Sequence, residues 1–170
     1  MCYQLWIVSP LTLSEIRSML PSAFTADMAS PADQRALRSR LPGAQTVAML
    51  RLGGCACLLR TPHDGEDERH LRRRYAALGL SRDRIIAALD RHRRGTAPAG
   101  EPATWRIALS SFVAEHARNA GATLFYLGFG EAPAPVAAAD TRLQPEMTAA
   151  EVRASPDTWL VEGTLIRVGP

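Results

Sequence analysis

Three cysteines, at positions 2, 55 and 57, carry the most versatile chemistry in this chain. Cys55 and Cys57 sit in "LRLGGCACLLR", residues 50–60. On a strand, residues i and i+2 share a face, so the two sulfurs can be presented together. Fully extended, their Cα atoms lie about 6.5–7 Å apart, at the limit for a disulfide. Gly53 and Gly54 can bend the chain ahead of them and leave backbone N–H groups free for a thiolate. If the first strand pairs antiparallel with the strand leading to Cys55, Cys2 approaches the other two. His63, in the loop that follows, then completes a Cys3His ligand set of the kind zinc takes. The CxC spacing is not that of a zinc finger. Free cysteine is also a small, well-buried hydrophobe, so three inert core residues are the competing reading. A redox thiol pair is a further one, with only nearby arginines to lower a cysteine pKa. An odd cysteine count implies no disulfide framework.

Cys2 supports one more reaction class. Removal of Met1 would place its thiol beside a free α-amine that can act as general base. That arrangement belongs to an N-terminal cysteine hydrolase. Against it, 170 residues is short for such an enzyme, and no downstream oxyanion or substrate motif accompanies the cysteine.

The second chemically distinctive stretch is "LRRRYAALGLSRDRIIAALDRHRR", residues 71–94. Its pattern predicts a helix, a short turn at Gly79 and a second helix, the outline of a helix-turn-helix. Arg72, Arg73, Arg74, Arg82, Arg84 and Arg91 are the candidate nucleic-acid contacts, with Arg93 and Arg94 as further phosphate partners. Glu66, Asp67, Glu68, Asp83 and Asp90 oppose that reading, since they would meet the same phosphates. All twenty basic residues are arginine, with no lysine, and alanine is abundant. This composition points to a GC-rich bacterial coding bias, so arginine clusters say less about function than usual. The net charge of +3 is uneven. Residues 35–94 hold fourteen arginines and six acids, whereas the segments on either side are net negative. Only the middle third could face a polyanion.

Other motifs are weaker. His116 continues an apolar helix face and reads as a satisfied, half-buried core residue; His70 and His92 lie among arginines. No GxSxG, GxxxxGK[ST] or GxGxxG occurs, and "LGFGEAP" at 127–133 lacks the following helix that a dinucleotide loop needs.

These residues must be positioned by short elements. "YQLWIV" is a first strand. Thr12 and Glu15 have capping-box spacing, with Leu11 and Ile16 as a hydrophobic staple, and predict a helix over 13–20. Residues 21–33 read as loop, with a helix starting at Pro31 and ending at Pro42-Gly43. "QTVAMLRLGGCACLLR" predicts a strand interrupted by its glycines. In the next segment Leu71, Tyr75 and Leu78 share a face of one helix; Ser81 caps another carrying Ile85, Ile86 and Leu89. From Thr104 to Asn119, Trp105, Ala108, Leu109, Phe112, Val113 and His116 recur at helical spacing. "ATLFYLGFG" is a buried-type strand. Thr148 and Glu151 repeat the capping box, with Met147 and Val152 as the staple pair. "TWLVEGTLIRV" predicts a strand or tight hairpin around Glu162-Gly163.

This order predicts an α+β fold: a single domain over 1–170 with a mixed or mostly antiparallel sheet of about four to five strands and about five helices. The arginine-rich hairpin is an insertion at 66–94, and 95–103 and 130–146 are flexible linkers. With 46% hydrophobic residues, a chain of this length builds a core without metal or disulfides. No apolar run reaches membrane-spanning length, and "MCYQLWIVSP" lacks the basic region of a signal peptide. The expected setting is cytoplasmic. The expected function is a binding or regulatory module with a thiol or zinc cluster at Cys2, Cys55, Cys57 and His63, partnered by protein or nucleic acid rather than membrane. A nucleic-acid-binding protein is the alternative and an N-terminal cysteine hydrolase the third.

Overall fold

The computed structural model describes residues 2–52, 72, 76, 81–95, 104–130, 146–156, 158–161 and 163–170. The chain divides into two compact units, Met1–Thr61 with Pro102–Pro170, and Pro62–Glu101. The fold is α+β. The described strands are β1 (Cys2–Ser9), β2 (Phe24–Met28), β3 (Thr46–Leu52), β4 (Thr123–Gly130), β5 (Met147–Thr148) and β6 (Leu165–Gly169). The described helices are α1 (Leu13–Met19), α2 (Pro31–Arg38), α3 (Arg82–Gly95), α4 (Thr104–Ala120) and α5 (Ala149–Ala154).

All six strands belong to one sheet in the first unit, in the order β2-β3-β1-β4-β6-β5. Every pairing is antiparallel except that of β5 with β6, so the sheet is mixed. The strand count slightly exceeds the expected four to five. One extra strand is β2, which lies in the stretch read as loop. Its sequence, Phe-Thr-Ala-Asp-Met, is short and includes Asp, a poor strand former, yet it alternates buried Phe24 and Ala26 with exposed Thr25. β2 is an edge strand, and α1 guards it: Arg17 Nε donates to the Ala26 carbonyl at 2.8 Å.

Register divides the side chains cleanly between the two faces. Leu5 lies opposite Leu50 and Leu127, and Ile7 opposite Ala48 and Phe125. These residues join Ile166 and Val168 in the larger core, which includes α1, α4 and α5 through Ile16, Leu109, Phe112, Val113 and Val152. The intervening positions, Trp6, Val8, Val47, Leu124, Tyr126 and Leu165, form a smaller core with Leu37 of α2 and with Leu41. Fully burying one such aliphatic side chain is worth about 1.5–3 kcal/mol.

Both capping boxes form as their spacing predicts. Thr12 and Thr148 each accept from the backbone N–H three residues on, while Glu15 and Glu151 reach back to the threonine N–H groups at 2.8 and 2.7 Å. In the second unit α3 buries Ile85 and Leu89, but Ile86 is exposed, one position round from the buried stripe. Near the C-terminus Trp159 and Leu160 are buried without lying in a strand; β6 starts only at Leu165. Gly163, at φ +72°, turns the chain there and its N–H donates to the Leu127 carbonyl at 2.8 Å. Among the described residues no helix is long and apolar enough to cross a membrane.

Candidate functional site

Cys2 is the first residue of β1 and pairs with Gly130, the last residue of β4. β1 also runs antiparallel to β3, with Leu5 opposite Leu50. The Cys2 end of β1 therefore lies at the end of β3 that leads to Gly53. This is the strand pairing on which a meeting of Cys2 with Cys55 and Cys57 depends. Cys55, Cys57 and His63 themselves lie outside the described residues, as do Met1 and the side chain of Cys2. Among the described residues no three His, Cys, Asp or Glu side chains gather in a way that could hold a metal ion.

The arginine-rich segment is described in part. Arg72 is helical and exposed, and Arg82 and Arg84 are exposed in the first turn of α3 with exposed Asp83 between them. Arg91 lies within α3, and Arg73 and Arg74 lie outside the described residues. Helical spacing puts residues two apart about 200° round the axis, so Arg82 and Arg84 do not share one face of α3.

The best-defined polar constellation is one that the sequence pattern does not reveal. Ser9, at the end of β1, and His116, in the last turns of α4, are 107 residues apart and both fully buried. Ser9 Oγ and His116 Nε2 are 2.9 Å apart. Ser9 Oγ also accepts from the Leu11 N–H at 2.9 Å, which fixes the turn into α1. Ser9 stands on the odd-numbered face of β1, two residues beyond Ile7, and so meets the helix layer that contains α4. The His116 ring packs on Phe112 one turn earlier, centroid to centroid 5.4 Å. Among the described residues its Nδ1 has no partner. Burial pushes the imidazole down from 6.5 to about 4.

A serine hydroxyl on a histidine nitrogen is the geometry of a nucleophile and its base. Three features make this pair structural instead. Neither side chain reaches solvent, and among the described residues no carboxylate orients Nδ1 as a hydrolytic triad requires. A base held neutral down to about 4 is also poorly matched to proton transfer near neutrality. The apolar periodicity of 104–119 does place His116 on the core face. Burial is complete rather than half, because Ser9 supplies a polar partner from a strand far away in sequence.

Two further buried polar atoms lie on the α2 face of β1. Trp6 Nε1 and Gln4 Oε1, on consecutive same-face positions, have no hydrogen-bond partner among the described residues. Gln4 lies opposite Gly128 and Trp6 opposite Tyr126. Asp33 is buried in the first turn of α2, where Ser30 donates its hydroxyl hydrogen to Oδ2 at 2.8 Å while Oδ1 is unpaired among the described residues.

No family model, curated protein or solved structure matches this chain.

Proposed function

We propose that the chain is a binding or regulatory module whose chemistry lies at the Cys2 end of the sheet. The proposed ligand set is Cys2, Cys55, Cys57 and His63, and the proposed ion is zinc, which takes thiolate and imidazole ligands in this number. A reducing cytoplasmic setting, which keeps such thiols available, is part of the reading. The observation that supports it is the antiparallel pairing of β1 with β3, which brings the start of β1 to the end of β3 three residues before Cys55.

The test is intact mass under native and denaturing conditions, with zinc and copper quantified on the same untagged sample. About one zinc per chain, lost in Cys57→Ser, is the expected result. Metal-free protein whose three thiols react only after unfolding would make the cysteines core residues and end this reading.

The exposure of Arg72, Arg82 and Arg84 favours a second reading, in which the arginine-rich segment binds nucleic acid. Binding would then weaken steeply with salt, with a slope reduced by replacing Arg82 or Arg84. Salt-independent or absent binding to duplex DNA and to RNA would remove it.

A further inference from the structure

The Ser9–His116 contact joins two elements that no ladder hydrogen bond connects. On one side is the end of β1, with the turn into α1 held by the Leu11 N–H on Ser9 Oγ. On the other is α4, which carries His116 in its C-terminal half and packs on β4, β6, α1 and α5. With His116 neutral, one of its ring nitrogens is paired to Ser9 in either tautomer. If Nε2 accepts, Ser9 donates to it; if Nε2 carries the hydrogen, it donates to Ser9 Oγ.

A second proton leaves no satisfactory arrangement. Both ring nitrogens become donors, and Nδ1 has no acceptor among the described residues. Oγ would have to receive the Leu11 N–H and Nε2–H together, so the Ser9 hydroxyl hydrogen loses its acceptor. The cation would also lack a counter-charge among the described residues. Glu15 and Arg17 of α1, Glu151 and Arg153 of α5, Arg167 of β6, and Glu115 and Arg118 of α4 itself are all exposed, while His116 is sealed. Arg106, at the far end of α4, is half-buried and stacks on Trp105. β1 and β4 carry no Asp, Glu, Arg or His. The ring packs at a tilt against Phe112.

We propose that the Ser9–His116 contact is an acid-sensitive joint: protonation of His116 releases the end of β1 and the turn into α1 from α4, while the centre of the sheet stays paired. The order of loss follows from what each part relies on. The centre of β1 is held on both sides by ladder pairing with β3 and β4. The Leu11 amide depends on Ser9 Oγ, whose place depends on the imidazole.

Amide hydrogen exchange at pH 7.5 and pH 5, expressed as protection factors to remove the intrinsic pH dependence, tests this. A ring that ionises at about 4 when buried and at 6.5 when hydrated raises the opening equilibrium about 30-fold over that interval. At pH 5 the Leu11 amide, the first turn of α1 and the second half of α4 should exchange through this opening and be less protected than Leu5, Leu50 and Leu127, which exchange only when the sheet itself unfolds. His116→Gln can still reach Ser9 but cannot take up a proton, so it should abolish the pH dependence. Ser9→Ala should lower Leu11 protection already at pH 7.5, which supplies an independent reading if His116→Gln does not fold. Equal protection at both pH values, Leu11 protection at pH 5 no lower than that of Leu5, Leu50 and Leu127, or a pH effect that persists in His116→Gln would overturn the proposal.

Discussion

Trp6 and Tyr126 stand directly opposite one another on β1 and β4, their ring centroids 5.5 Å apart and their planes tilted by 41°. Gly128 makes that arrangement possible. A Cβ at this position would lie 2.7 Å from Tyr126 Cε1 and 3.1 Å from Trp6 Cζ3. Both rings are buried, so neither can swing into solvent to make room. Gly128→Ala should destabilise the protein by about 1–3 kcal/mol through overpacking. Denaturant unfolding measures this, and the near-ultraviolet circular dichroism of the ring pair should change with it. Gly43→Ala is the contrast. There a Cβ meets nothing within 4 Å, and the cost, about 1 kcal/mol, arises from φ at +84° alone. A Gly128→Ala protein as stable as the parent would show that the Tyr126 ring relaxes freely.

Trp159 shows how a buried residue outside any regular element is held. Its Nε1–H donates to Ser110 Oγ of α4 at 3.1 Å, and its ring meets Phe125 of β4 edge-on at 5.5 Å. Ser110→Ala strands the indole N–H in the core and should cost about 1–3 kcal/mol. Trp159→Phe keeps an aromatic ring but deletes the donor. The double variant should lose less than the sum of the singles, with a coupling of about 0.5–1.5 kcal/mol. Strict additivity in a double-mutant cycle would mean that the bond contributes nothing.

The two capping boxes should differ in consequence although their chemistry is the same. Thr12→Ala and Thr148→Ala each remove a side-chain acceptor from a helix start, worth about 1 kcal/mol. α5 is only six residues long and seats Ala149 and Val152 in the core. Fraying one end of so short a helix loosens both, so Thr148→Ala should cost more than Thr12→Ala. Thermal unfolding of the two variants decides the order.

Those boxes were also the most legible feature of the chain, because a cap is a local interaction written within four residues. The 104–119 helix was legible for a similar reason, since its apolar period repeats over four turns. β2 was not. Phe24 and Ala26 alternate correctly, but five residues between Pro21 and Pro31 give too short a pattern, and their pairing with β3 is decided by tertiary contact. Trp159 and Leu160 misled in the opposite direction: they are apolar and β-prone, yet buried from a loop. The period of the helix places His116 in the core, whereas nothing in the sequence marks Ser9 as its partner. A serine before proline reads as a strand end, and nothing local connects it to a helix 107 residues away. The antiparallel neighbourhood of β1 and β3, conditional in the sequence, is present in the fold.

Stability should depend on pH through His116 in a window that separates it from the carboxylates. Its folded-state value, about 4, lies below the ordinary 6.5 because burial disfavours the cation. Well above 6.5 the ring is neutral folded and unfolded, and it contributes no pH dependence. Between 6.5 and 4 the unfolded chain binds a proton that the folded chain refuses, so stability falls as pH falls. The slope approaches about 1.4 kcal/mol per pH unit, and the whole interval is worth about 3 kcal/mol. Below 4 the ring is protonated in both states and the dependence ends. Glu15 and Glu151 act in a different window. Their cap bonds to Thr12 and Thr148 hold both carboxylates below 4.5, so what they contribute is lost only as pH falls below that value. Urea unfolding of the parent and of His116→Gln from pH 4 to 8 isolates the imidazole, because the difference between the two curves removes every group they share. That difference should be flat above pH 7 and should change steadily below it, the parent losing relative stability toward pH 4. Parallel curves through this interval would mean that His116 is hydrated enough to titrate alike in both states, which its burial against Phe112 and Ser9 argues against.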